Sequence, residues 1–290
     1  MGQQQDDGAA DTTTEQSIDA RLALAHDPAT GPDQLYLLAA DPSVQVRTVV
    51  AARPDAPATA LRPLTRDRDR AVRAAVAANP ATSIGNLLRL VADPDRWVRW
   101  AVAGNPAADE SIRRIMSRTP DKELRGLLAE QPALEPEFSA VLIADPSPEV
   151  RERLASHTDD PEVMEALLAD RTVRVRKGLA VNVLTSPEQR HALALDSSPD
   201  VRSALVRAVE LAEADLLALV NDRSVDVRRS LATSTLTPPH IRHALESDPD
   251  ETVATEAQGF NQRPSARAAV RPPRAGHRRF VTGKGRSGRG

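Results

Sequence analysis

The chain has 290 residues, of which 40% are hydrophobic and 27% charged, and its formal net charge is −3. Cysteine is absent, which excludes disulfides, thiolate metal sites and cysteine nucleophiles, and aromatic residues make up only 2% of the chain. No apolar stretch approaches the roughly 18 residues that cross a membrane, and the first residues are polar and acidic rather than signal-like. We therefore expect a cytoplasmic protein that does not enter the membrane.

The charge is unevenly divided along the chain. Residues 263–290 hold nine Arg and Lys and no acid, which leaves a net charge of −12 for residues 1–262. We expect three parts: an acidic, disordered N-terminal segment over 1–16, a folded body over 17–262, and a basic, disordered tail over 263–290.

The body is a tandem repeat. An apolar residue, nearly always followed by Arg, recurs every 26 residues with a single interval of 25, at Val46, Val72, Val98, Leu124, Val150, Val175, Val201, Val227 and Val253. A truncated copy over 20–28 precedes the first full repeat. A fixed period in this range is typical of a solenoid, whose units bury their apolar faces only against their neighbours.

Each repeat predicts two helices. Leu or Met stands eight residues before the repeating apolar position, which indicates a short first helix. The repeating position and an apolar residue four places later lie on one face of a second helix of about eleven residues. An Asp five places before the repeating position, as in Asp67 and Asp93, is expected to cap that helix, and Pro often follows it.

One repeat shows the full motif in "NPATSIGNLLRLVADPDRWVRWAVAGNP", with its leucines, Asp-Pro-Asp, Val-Arg and closing Asn-Pro. It resembles the leucine-rich repeat variant (LRV) family, a HEAT-like group, over roughly residues 17–261. The resemblance implies an all-α fold: a right-handed α-solenoid of about nine two-helix repeats, whose shorter first helices are 3₁₀ in places. It implies no enzymatic activity.

The Arg that follows the repeating position has two interpretations. A row of arginines could bind phosphates. Because Asp recurs with the same period, we favour ion pairs that join one repeat to the next.

The sequence gives no catalytic residues, no cofactor site and no small-molecule substrate. It has no Gly-rich phosphate loop and no Ser, His and Asp set that would converge on a pocket. His240 and His243 are three residues apart, but no third metal ligand is apparent nearby. We therefore expect neither an enzyme nor a metal protein.

The strongest candidate for binding is the pair Trp97 and Trp100, the only two tryptophans of the chain. Both are expected to point away from the core of their own repeat, at positions that are polar or small in most other repeats. They could pack on a neighbouring repeat, but Trp is also typical of binding hot spots. The candidate partner-binding residues are Trp97, Trp100, Arg96, Arg70 and Arg66.

Two functions remain open at this point. Residues 62–125 carry a net charge of +5 and residues 130–170 one of −9, a polarity that suits a protein partner with its own charge pattern. The leading hypothesis is a protein-interaction scaffold that binds through the exposed face of the early repeats. The alternative is a nucleic-acid-binding protein that uses the basic early repeats and the basic tail. The net negative charge of the body argues against this alternative, because it would repel the phosphates.

Overall fold

The computed structural model describes residues 9–261, and within them every regular element is helical. Residues 1–8 lie outside the described part, as does the segment 263–290 for which a basic tail is expected. The first helix, α1, spans Ala9–His26 and thus includes residues 9–16, which were expected to be disordered.

Nine helix pairs follow α1. The first helices of the pairs are α2 (Pro32–Leu38), α4 (Ala58–Leu64), α6 (Ile84–Leu90), α8 (Glu110–Arg118), α10 (Pro136–Ile143), α12 (Pro161–Leu168), α14 (Pro187–Ala194), α16 (Glu213–Val220) and α18 (Pro239–Ala244). The second helices are α3 (Val44–Ala52), α5 (Arg70–Ala78), α7 (Arg96–Ala103), α9 (Lys122–Ala129), α11 (Pro148–His157), α13 (Val173–Ala180), α15 (Pro199–Ala208), α17 (Val225–Thr233) and α19 (Glu251–Asn261).

The pairs stack into an α-solenoid, as predicted. Each second helix packs against the second helices before and after it, and the first helices form a parallel outer row. Packing is closer along the row of second helices, which we call the inner row, than along the outer row of first helices. In the outer row, α4 and α6 are the least closely packed neighbours.

The core follows the predicted periodicity. The repeating apolar positions are buried in all nine repeats, and so are the leucines and methionine eight places before them. Eleven residues before the repeating position, five repeats have a buried Leu or Met. In three others that position is Arg or Ser, and the preceding residue, Ile112, Phe138 or Ile241, provides the buried apolar side chain instead. The core is therefore a continuous seam of small apolar layers, which explains how the chain folds with so few aromatic residues.

Helix type and length differ in detail from the expectation. Most second helices have eight to ten residues rather than eleven, and only α19 reaches eleven. Among the described residues, 3₁₀ geometry is confined to Leu245–Ser247, directly after α18. The other first helices are short α-helices.

The predicted helix caps were wrong by two residues. The second helices begin after Ser43, Asp69, Asp95, Asp121, Ser147, Thr172, Ser198 and Ser224, which stand three rather than five places before the repeating position. The earlier Asp accepts a hydrogen bond from the backbone of the cap residue instead, as Asp67 does from the Asp69 N–H at 2.9 Å. Asp67 thus shapes the turn before the helix, while both of its oxygens also accept hydrogen bonds from Arg47.

Candidate interaction surface

A ladder of ion pairs joins neighbouring repeats. The Arg after each repeating position binds the Asp that precedes the next second helix, usually with two hydrogen bonds. Arg73 donates to Asp93 at 2.8 and 3.0 Å, and its third nitrogen donates to the Asp67 carbonyl at 2.8 Å. The pairs are Arg21–Asp41, Arg47–Asp67, Arg73–Asp93, Arg99–Asp121, Arg125–Asp145, Arg151–Asp170, Arg176–Asp196, Arg202–Asp222 and Arg228–Asp248. The prediction that these arginines tie the repeats together is confirmed.

One rung of the ladder differs because Thr119 stands where other repeats have Asp. Arg99 reaches instead to Asp121, which also caps α9 by accepting from the Glu123 N–H at 3.0 Å. Burial alone raises the pKa of Asp121, but the hydrogen bond from Arg99 and the backbone donors outweigh it, so the pKa lies below its usual value. Asp121 therefore both caps α9 and pairs with Arg99, whereas in the other repeats one residue precedes the helix as its cap and another forms the ion pair.

A second ladder, not predicted from the sequence, runs through the asparagines of the Asn-Pro turns. The Asn79 side-chain amide donates to the carbonyls of Ala51 and Arg53, both at 2.7 Å, and Asn105 repeats the contact one unit later on Ala77 and Asn79. These asparagines are buried. Their fixed distance from the repeating valine is visible in the sequence, but the sequence does not show which carbonyls their side-chain amides reach.

The tryptophans form one cluster with Arg96 on α7, on the inner row of helices. The rings of Trp97 and Trp100 meet edge to face, with 4.8 Å between centroids and 76° between planes. The Arg96 guanidinium lies over both rings, 4.9 Å from the Trp97 centroid and 5.5 Å from that of Trp100. Trp97 is 47% exposed, whereas Trp100 is partly buried. We call Arg96, Trp97 and Trp100 the tryptophan cluster.

The two remaining candidate residues lie in different places. Arg70 begins α5 and contacts Asp95, the cap of α7, at 3.4 Å, so it borders the tryptophan cluster. Arg66 lies just after α4 in the outer row, where it lines a groove with Arg62 and Arg89. The structure thus brings four of the five predicted residues together and places Arg66 elsewhere.

Other chemistry-bearing side chains do not assemble a site. In residues 9–261, no group of three or more His, Asp and Glu could hold a metal ion. His240 contacts Glu213 and His243 contacts Glu246, so the two histidines face separate acids. None of the described helices is both long and apolar enough to cross a membrane.

Comparison with known proteins found a matching family model and a similar solved structure. The leucine-rich repeat variant family model matches residues 70–95, which span one period of the repeat. A solved structure described as "a leucine-rich repeat variant with a novel repetitive protein structural motif" is similar at 24% identity and a TM-score of 0.45, covering 81% of this chain and 84% of that one. A search of curated protein sequences found no similar protein.

Proposed function

We propose that this leucine-rich repeat variant protein is a non-enzymatic, cytoplasmic scaffold that binds a partner protein through the tryptophan cluster on the inner face of its early repeats. Solenoids present long curved surfaces whose outward side chains are free of any role in the fold, which suits them to this function. The observation that carries the proposal is the exposed Trp97 ring stacked with Arg96, in a chain that has only two tryptophans.

The surroundings of the cluster support a contact site. At the two register positions of the tryptophans, the preceding repeat has Ala71 and Ala74, so the rings stand beside small side chains rather than in a packed aromatic layer. The Trp100 indole N–H is buried and has no acceptor among the described residues.

The charge around the cluster indicates the partner's chemistry. Arg70, Arg96 and Lys122 occupy the same register position in three successive repeats, so three cations follow the inner face. Among the described residues Lys122 has no carboxylate within 4 Å, although its charge helps to lower the pKa of Glu149, and the Arg96 guanidinium lies over both rings. A partner segment with acidic side chains around an apolar or aromatic anchor would complement this surface.

The test is affinity capture with the full-length chain. Trp97→Ala and Arg96→Ala should each lose at least one captured protein that the wild type retains. Leu195→Ala is the matched control, because Leu195 is also a large exposed apolar residue, at 67%, but lies in a later repeat. Circular dichroism melting should show that all three variants stay folded. Identical captured proteins from all four chains would refute the proposal.

Nucleic-acid binding is the second candidate, and exposed arginines in the early repeats favour it. Arg66 and Arg68 are exposed and have no ion pair within the described residues. The basic tail that would add to this attraction lies outside those residues. Anisotropy of labelled duplex DNA and RNA over a salt series tests this candidate, because phosphate contacts weaken steeply as salt rises.

A further inference from the structure

A second surface, on the outer row of helices, has features that neither the fold nor the tryptophan cluster explains. A surface groove of about 520 Å³ runs between α4 and α6, the least closely packed neighbours of that row. Its main lining side chains are Tyr36, Thr59, Arg62, Arg66, Asn86 and Arg89, and we call it the arginine groove.

The positive charge of the groove is not balanced by any carboxylate in its lining. Arg62, Arg66 and Arg89 are exposed and lie within 4 Å of no carboxylate among the described residues, and the groove lining contains no acid. Asp67 and Asp93 line an adjoining pocket together with Arg66 and Arg89, but they are already bound by the ladder arginines of the preceding repeats. Three guanidiniums in one groove repel each other, so the surface favours an anion.

The neutral residues of the groove are suited to close binding. Thr59 and Asn86 add a hydroxyl and an amide that can donate hydrogen bonds. Gly85 also lines the groove, and a Cβ at that position would meet nothing within 4 Å. Glycine within a seven-residue helix is unfavourable, and here no packing requires it. It leaves the backbone open to the close approach of a ligand.

The lining of the groove also includes an aromatic ring. Tyr36, on α2 of the preceding repeat, is 53% exposed and offers a flat ring beside the arginines. A guanidinium group can donate two parallel hydrogen bonds to phosphate oxygens. An exposed aromatic ring can stack on any nucleobase, whichever base it is. The two features lie in one groove, as the two ends of a nucleotide require.

We propose that the arginine groove binds a nucleoside polyphosphate, with its phosphates at Arg62, Arg66 and Arg89 and its base against Tyr36. A compact ligand is favoured over a long nucleic acid strand because residues 1–262 carry a net charge of −12, which repels an extended polyanion. This inference does not depend on the tryptophan cluster, which lies on the opposite row of helices.

The test is isothermal titration of the full-length chain with ATP, inorganic triphosphate and hexaglutamate at about 150 mM NaCl, where weak surface attraction is largely screened. The double variant Arg62→Gln/Arg89→Gln should weaken ATP binding by about tenfold or more, since it removes two charge-assisted contacts. Tyr36→Ala should weaken binding of ATP but leave that of triphosphate unchanged.

The matched control is Arg171→Gln/Arg223→Gln. These arginines are exposed and have no ion pair within residues 9–261, and they stand in the turns of later repeats. The control should bind ATP as the wild type does, which separates the groove from any general attraction, including that of the basic tail. Absence of ATP binding, equal losses in both double variants, or tighter binding of hexaglutamate than of ATP would overturn the proposal.

Discussion

Arg125 and Asp145 are separated by 20 residues, yet they form a two-pronged ion pair at 2.6 and 3.1 Å in which both side chains are buried. Arg125 also donates to the Thr119 carbonyl at 2.7 Å. One guanidinium thus binds the turn of its own repeat and the acid of the next. Because this unit recurs along the solenoid, the ladder fixes the spacing of the repeats as well as joining them.

Removing the charge of Asp145 should be costly. We expect Asp145→Asn to lower the free energy of unfolding by about 3 kcal/mol or more, because it leaves the Arg125 charge buried without a counter-ion. Urea denaturation measures this loss. Asp226→Asn is the control: Asp226 is 78% exposed and pairs with Arg229, so its loss should stay within about 0.5 kcal/mol. Equal effects of the two substitutions would contradict this description of the ladder.

Because Thr119 replaces the usual Asp, two helix caps should differ in how much they contribute to stability. Asp69 caps α5 and has no ion pair among the described residues, so Asp69→Ala should cost about 1 kcal/mol. Asp121→Ala should cost more, about 2–3 kcal/mol, since it removes the α9 cap together with the pairing of Arg99. Chemical denaturation of the two variants under one condition gives the comparison, and a smaller cost at Asp121 would contradict the double role.

The asparagine ladder should also stabilise the stack. Asn105→Ala leaves the buried carbonyls of Ala77 and Asn79 without their side-chain donor, and we expect a loss of about 2 kcal/mol. Asn221→Ala is the control, because Asn221 is exposed and makes only a 3.4 Å contact to the carbonyl of Leu217. Thermal melting of both variants tests the difference, and a neutral Asn105→Ala would mean that these bonds contribute nothing net.

Stability should fall in acid. The hydrogen bond from Arg228 holds the pKa of Asp248 below its usual value, and at Asp222 the bond from Arg202 does the same in spite of burial, which raises that pKa. A carboxyl whose folded pKa is lowered contributes stability above its unfolded pKa of about 3.9 and loses it as the pH falls through the folded pKa. We therefore expect Tm to be steady from pH 7 to about pH 5 and to drop below about pH 4. A Tm that stays constant down to about pH 3 would contradict a stabilising ladder.

Much of the fold could be predicted from the sequence because the same spacing of residues recurs in nine repeats. The buried positions and the Arg–Asp pairing both followed from spacing alone. The cap residues could not be placed, since the Ser or Asp three places before the repeating position and the Asp five places before it are both good caps. In the structure the earlier Asp forms the ion pair, as Asp93 does with Arg73, so the later residue precedes the helix as its cap.

The candidate site was only partly predictable. Helical periodicity was enough to place Trp97 on the outside of its repeat, whereas Trp100 is partly buried. The arginine groove was hidden, because Arg62 and Arg89 come from different repeats and meet only through the stacking of α4 and α6. Arg66 was grouped with the tryptophans because residues 62–125 carry a net positive charge. Such a count does not show which of the two rows of helices each residue lies on.

The most direct test of the scaffold function is the tryptophan emission of the full-length chain on binding a captured partner, corrected for the partner alone. The chain has no other tryptophans than the two in the cluster, so its emission reports on this surface and on nothing else. Burial of Trp97 at an interface should shift the emission to shorter wavelength and saturate with the partner, and Arg96→Ala should weaken that titration. A partner that binds at full stoichiometry without changing the emission would show that the contact lies elsewhere.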